Sequence, residues 1–190
     1  MRIGVLASGT GTNLEAILEA RLPVVVVVAD RPCRALQVAD DAGVTSVLVE
    51  RRSFGSSFDR LAYTHEVIDV LEAAAVDLVA MAGFMTILDK PFVDRWPGRI
   101  LNTHPSLLPS FPGAHGVRDA LEAGVKVTGC TVHIATAELD AGPIVAQTAV
   151  DVLPDDTVES LHERIKAAER VLYPAAIRRF MRSDAERGLA

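Results

Sequence analysis

The chain has 190 residues, 49% of them hydrophobic and 23% charged, with a formal net charge of -6. That length supplies one well-buried core and argues against a second full domain, and the scattered charges form no Lys/Arg stripe that would neutralise a nucleic-acid backbone. Cys33 and Cys130 are far apart in the chain; they suggest neither a disulfide framework nor a zinc site and fit a reducing cytoplasm.

The first apolar run, "RIGVLA" (2–7), is cut off by glycines before it reaches signal-peptide length and reads as a strand. "SGTGTNL" (8–14) opens a helix expected over 13–20, and "VVVVVA" (24–29) is a second strand, far short of the about 20 apolar residues that cross a bilayer. A helix over 34–42, a strand at "TSVLVE" (45–50) and a helix over 58–75 follow, the last with apolar Leu61, Val67, Ile68 and Leu71 at helical spacing. "DLVAMA" (77–82) and "RILNTH" (99–104) continue the strands. Apolar runs alternating with helices predict parallel strands buried on both faces.

After residue 125 the rhythm changes. "VKVTGCTVHIA" and "GPIVAQTAVDV" are separated only by "TAELDA", too short for a crossover helix, so an antiparallel pair is expected. Asp156 and Glu159 have capping-box spacing ahead of Leu161, Ile165, Ala168 and Leu172 at helical intervals. Pro174 is expected to kink or interrupt that helix, and residues 182–190 to form a frayed polar tail. The expected class is α/β, a Rossmann-like, mostly parallel sheet with flanking helices and an antiparallel C-terminal hairpin.

Three stretches carry candidate chemistry. The glycine loop after the first strand suits a phosphate, because glycines let backbone N–H groups turn toward an anion at a helix N-terminus; a turn that needs Gly for geometry alone is the plainer alternative. Gly9, Gly11 and Asp30 partly match a dinucleotide fingerprint, but Leu14 stands at the third glycine position, and Asp30 could simply end a strand in solvent. Asn102 and His104 close the fifth strand, spaced by two so that both face one way. Prolines 105, 109 and 112 restrict the chain beyond them, although His104 could equally be a buried strand-end histidine. Asp140, in "ELDAGP", reads as a turn residue or as a partner acid for His104.

"SGTGTNLEAI", "AGFMTIL", "LNTHPSLLPSFPG", "TGCTVHIATAELDAGPIVAQ" and "AAERVLYP", in this order and spacing, resemble the phosphoribosylglycinamide formyltransferases of the folate-dependent formyltransferase superfamily. The likeness runs from residue 2 to about 180. It implies one formyltransferase domain over 1–190, with a phosphate-binding half of about 1–100 and a folate-binding and catalytic half of about 101–182. It also implies transfer of the formyl group of 10-formyltetrahydrofolate, a co-substrate, to the amine of 5-phosphoribosylglycinamide, with no metal, membrane or nucleic acid involved.

Carried over residue by residue, the resemblance makes Asn102, His104 and Asp140 catalytic. Gly11, Thr12 and Asn13 would hold the phosphate, and Lys166 and Glu169 the ribose end. Arg60, Met85, Thr86, Ile87, Leu88, Asn102 and the loop Thr136, Ala137, Glu138, Leu139, Asp140 would contact folate. The residue after Met85 is often Arg in this family, so Thr86 is a departure that shifts any charged contact toward Arg60. His115 and His133 occupy motif positions and are read as structural or as supports of the groups that touch substrate. Without the resemblance, Glu169 would read as part of a solvated helix face.

A formyltetrahydrofolate deformylase shares the Asn, His and Asp set but normally adds an N-terminal regulatory domain, whereas this chain begins at the first strand. A methionyl-tRNA formyltransferase has an added C-terminal domain and lacks the glycine loop. A nucleotide-binding or NAD-linked protein would leave 102–140 unexplained. Oligomeric state is open, with a homodimer among the options.

Overall fold

A computed structural model describes residues 1–55 and 57–188. The chain divides into two compact units, Met1–Ile100 and Leu101–Ala190.

In the first unit, β1 (Ile3–Ala7), β2 (Val24–Ala29), β3 (Thr45–Leu48) and β4 (Leu78–Met81) are parallel, in the spatial order β3-β2-β1-β4. Ile3, Val5 and Leu6 of β1 are fully buried, each stabilising the fold by roughly 1.5–3 kcal/mol. The crossover helices are α1 (Thr12–Glu19), α2 (Arg34–Asp41) and α3 (Arg60–Ala73), with a short α4 (Lys90–Arg95) after β4. Asp59 caps α3 by accepting the Ala62 N–H at 2.9 Å. The inner face of α3 carries Tyr63, Thr64, Val67, Ile68 and Leu71, whereas Leu61, expected on that face, is exposed.

In the second unit, β5 (Ile100–His104, its first residue closing the first unit) pairs antiparallel with β6 (Val127–Ile134), and β6 with β7 (Ile144–Asp151). The short α5 (Gly116–Glu122) precedes β6, and α6 (Val158–Gly188) packs on β6 and β7. Leu161 and Ile165 of α6 meet Val117, Cys130 and Val150 in a continuous apolar cluster. The fold class expected from the apolar runs is the observed one, and the "TAELDA" pair is antiparallel.

Three expectations about α6 change. Its reciprocal cap is Thr157 with Ser160, the Ser160 N–H reaching Thr157 Oγ1 at 3.2 Å and the Thr157 N–H reaching Ser160 Oγ at 3.0 Å. Asp156 instead takes a two-pronged bond from Arg164, both arms 2.8 Å. The helix also runs unbroken across Pro174. The carbonyl that loses its donor belongs to exposed Arg170, where solvent can serve it. Residues 182–188 are helical rather than a frayed tail, and residues 189–190 lie outside the described residues.

Candidate active site

The two residues singled out on β5 face a group that only the antiparallel register reveals. Asn102 lies opposite His133, and His104 opposite Thr131. Asn102 Nδ2 and His133 Nε2 are 3.1 Å apart, while His133 Nδ1 donates to the Ile134 carbonyl at 3.2 Å.

Asp140 joins them from the β6–β7 turn. Its φ of 53° is left-handed, a conformation that Asp and Asn adopt more readily than other side-chain-bearing residues. The turn closes tightly because residue 142 is glycine: a Cβ there would lie 1.8 Å from the Ile134 carbonyl oxygen. The Asp140 carboxylate is 6% exposed, with Oδ2 3.4 Å from His104 Nδ1 and Oδ1 3.6 Å from His133 Nε2. The Gly113 N–H donates to Oδ2 at 2.8 Å. Burial by itself raises the Asp140 pKa, but the nearby His133 ring, donation from the Gly113 N–H and the positive charge available on His104 and His133 outweigh it, so Asp140 is held below the ordinary carboxylate range.

The segment after β5 fixes the His104 ring. Its Nε2 donates to the Phe111 carbonyl at 2.8 Å. With that N–H committed to an atom that only accepts, Nδ1 meets an ionised carboxylate favourably only as a second N–H donor, in the imidazolium form. Ser106 Oγ donates to the Ser110 carbonyl at 2.5 Å. Thr131 Oγ1 donates to the Ser106 carbonyl at 2.7 Å and accepts from the Leu108 N–H at 3.0 Å. The segment's conformation is therefore held by side chains as well as by its prolines.

On the same strand Thr103 Oγ1 donates to Glu169 Oε1 at 3.1 Å. Glu169 is only 6% exposed, so it does not belong to a solvated helix face. Lys166, one turn earlier, bonds Glu163 at 2.7 Å and is partly exposed. Tyr173 Oη, one turn later, donates to the Leu101 carbonyl at 2.8 Å and fastens α6 to β5.

In the first unit, Gly11 is the N-cap of α1 with φ 78°, and a Cβ there would lie 3.0 Å from the Ala35 backbone. Both the conformation and the close approach of α2 therefore demand glycine. The carbonyls of Gly9 and Thr10 accept from Ala35 N and Arg34 Nη1 at 3.1 and 2.7 Å. Thr12 and Asn13 are half-buried. Asp30 does not end its strand in solvent: it is fully buried and takes two bonds from Arg31 at 3.0 and 3.1 Å and one from Thr86 Oγ1 at 2.7 Å. Burial raises its pKa, but donation by Arg31, Thr86 and Ser8 prevails and holds it low. A carboxylate with this many donors has little capacity left for a ribose hydroxyl, which removes the dinucleotide reading.

The chain matches the formyl transferase family over residues 1–177. It is 49% identical over 181 residues to a phosphoribosylglycinamide formyltransferase of Mycobacterium tuberculosis, covering 93% of this chain and 83% of that protein.

The chain belongs to the formyl transferase family.

This formyl transferase is also 46% identical over 184 residues to the trifunctional purine biosynthetic protein adenosine-3 of Gallus gallus, but spans only 18% of that protein's length. Its fold superposes on the crystal structure of glycinamide ribonucleotide transformylase 1 from Symbiobacterium toebii with a TM-score of 0.89 and 48% identity, covering 96% of this chain and 88% of that one.

Among the residues assigned to the two ligands, Gly11, Thr12, Asn13, Arg60, Met85, Thr86, Ile87 and Leu88 lie in the first unit. Thr136, Ala137, Glu138, Leu139, Asp140, Lys166 and Glu169 lie in the second. Met85 and Ile87 are 67% and 58% exposed, an outward apolar pair suited to an aromatic ligand, while the Thr86 side chain between them is buried. Arg60 is half-exposed, with Nη1 4.0 Å from Asp89 Oδ1. Thr136 to Leu139 are exposed, with Thr136 Oγ1 donating to the Glu138 carbonyl at 3.0 Å.

His133 stands in a supporting place beside Asn102 and Asp140. The signal was present, since an imidazole on the partner strand can face Asn102, but it needs the strand register to be seen. Exposed His115 precedes α5 and makes no capping bond through its side chain. Among the described residues no group of three or more His, Cys, Asp or Glu side chains is arranged to hold a metal ion, and no helix is long and apolar enough to cross a membrane.

Proposed function

We propose that this chain transfers the formyl group of 10-formyltetrahydrofolate to the amine of 5-phosphoribosylglycinamide, giving the N-formyl ribonucleotide and tetrahydrofolate. The observation that carries the reading is the buried cluster in which Asp140 lies 3.4 Å from His104 beside Asn102. The names of its relatives in purine synthesis support it.

Attack of the amine on the formyl carbon forms a C–N bond and pushes negative charge onto the formyl oxygen; the bond from that carbon to the folate nitrogen then breaks. The Asn102 amide offers an N–H to the developing oxyanion. The imidazolium of His104 adds positive charge beside it, and becomes a second donor on exchanging the Phe111 carbonyl for the formyl oxygen. Asp140 stabilises that imidazolium and accepts, directly or through water, the proton leaving the amine, which is returned to the folate nitrogen.

The remaining assignments follow the same reading. The chain is one formyltransferase domain, with a phosphate-binding half near 1–100 and a folate-binding and catalytic half near 101–182; the division at Ile100 and Leu101 supports that partition. Gly11, Thr12 and Asn13 hold the phosphate, and Lys166 and Glu169 the ribose hydroxyls. Arg60, Met85, Ile87 and Leu88, the backbone of Thr86, whose side chain is buried, and Asn102 with Thr136 to Asp140 contact folate. Cys33 and Cys130 are both free thiols, and burial pushes Cys130 up to about 12; unpaired thiols accord with a reducing cytoplasm.

The test is a formyl-transfer assay with carbon-labelled 10-formyltetrahydrofolate. Label is expected on the ribonucleotide amine in a one-to-one ratio with tetrahydrofolate. Label released as formate at a rate indifferent to the ribonucleotide would contradict the proposal and point to a deformylase. Thr12→Ala and Glu169→Gln are each expected to raise KM for the ribonucleotide about tenfold, the cost of one bond to a charged group, with folate KM changed less than about twofold. Equal rises in both constants would count against the phosphate and ribose assignments.

A further inference from the structure

The network around Asp30 reaches a segment to which the proposed reaction gives a role. Ser8 Oγ accepts the Met85 N–H at 2.8 Å and donates to Asp30. Thr86 Oγ1 donates to the same carboxylate at 2.7 Å. Asp30 is thereby shared by Arg31 from its own strand end, Ser8 from the end of β1, and Thr86 from the segment after β4. Beyond that segment, the Asp89 N–H is fastened to Thr64 Oγ1 at 3.0 Å. The backbone from Met85 to Asp89 is thus pinned at three points to β1, β2 and α3.

The exposure pattern shows what the pins accomplish. Thr86 is 1% exposed, whereas its neighbours Met85 and Ile87 are 67% and 58% exposed. Turning Thr86 inward onto a buried charge forces both apolar side chains outward, against the hydrophobic preference for burying them. Here Arg31 already occupies the carboxylate with two N–H bonds, and Thr86 contributes only a hydroxyl.

We propose that Asp30 is a positioning residue for the folate co-substrate, acting through Thr86 and Ser8 to hold Met85 and Ile87 as an outward-facing platform for its aromatic ring. This deepens the assignment of Met85 to Leu88 to folate and rests on it. Loss of either link lets the segment turn its apolar side chains inward. The formyl donor then binds less well, while the chemical step and the ribonucleotide site are left as they were.

The test compares Thr86→Val, which keeps the shape but removes the hydroxyl, with Thr86→Ser, which keeps the hydroxyl, by two-substrate steady-state kinetics. Thr86→Val is expected to raise KM for 10-formyltetrahydrofolate about three- to tenfold, the range for losing the net contribution of one hydrogen bond. Its kcat and ribonucleotide KM should stay within about twofold, and Thr86→Ser should match the parent. An unchanged folate KM in Thr86→Val, a parallel rise in both KM values, or a Thr86→Ser as impaired as Thr86→Val would each overturn the proposal. Ser8→Ala carries the same expectation if Thr86→Val does not fold. A parent enzyme without formyl transfer would instead refute the proposed reaction, so the two failures are distinguishable.

Discussion

Asp140→Asn is expected to lower kcat/KM for formyl transfer by roughly 100- to 1,000-fold, the range associated with loss of a group that stabilises transition-state charge. The substitution is nearly isosteric, and Asn tolerates the left-handed φ of 53°. The amide can still accept the Gly113 N–H, so the turn should stand and the loss will read as chemistry. What disappears is the negative charge beside His104 and His133 and, on the proposed mechanism, the proton acceptor for the amine.

The same variant has a signature in acid. Because the folded pKa of Asp140 is depressed, its ionised form stabilises the protein above the unfolded value, about 3.9, and that contribution is lost as pH falls through the folded pKa. The difference in Tm between parent and Asp140→Asn should therefore change as the pH is lowered below about 4. A gap that stayed constant down to pH 2.5 would contradict the depressed pKa.

Gly142→Ala is expected to be the most damaging single-carbon change in the second unit. The added Cβ would sit 1.8 Å from the Ile134 carbonyl oxygen, a backbone atom in a strand and not a flexible side-chain tip. The Ile134 N–H is bonded to the Pro143 carbonyl at 2.9 Å, so the end of the β6–β7 pair must open to relieve the clash. Overpacking of this kind costs about 2–3 kcal/mol, readable as a lower urea midpoint. Moving Asp140 by about 1 Å should cost a further 100-fold in kcat. A variant with parental stability and activity would show that the turn does not have to be this tight.

Much of the first unit is readable along the chain because its strands are buried on both faces and so appear as unbroken apolar runs. The helices that were not foreseen, α4 and α5, have six and seven residues, too few turns for a periodic pattern. The cap of α6 falls one residue from its expected place because Thr157 with Ser160 competes successfully with Asp156 and Glu159, and Arg164 draws Asp156 away.

The proposed site is legible in its candidate reacting groups and illegible in their supports. Asn102, His104 and Asp140 announce themselves by motif. The partners that orient them are the Phe111 carbonyl, the Gly113 N–H and His133, of which two are backbone atoms and the third depends on register. Asp30 shows the same limit. Its donors Ser8 and Thr86 lie 22 and 56 residues away in the chain, and no local pattern distinguishes an acid held by such distant hydroxyls from one that ends a strand in water.

The most direct measurement is a crystal structure with 5-phosphoribosylglycinamide and a folate analogue whose formyl group cannot leave. The formyl oxygen should lie within hydrogen-bonding distance, about 3 Å, of Asn102 Nδ2, with the formyl carbon beside His104 and the glycinamide amine close enough to attack it. A formyl group bound away from Asn102 and His104, with the Asp140 carboxylate facing neither the amine nor an intervening water, would contradict the account.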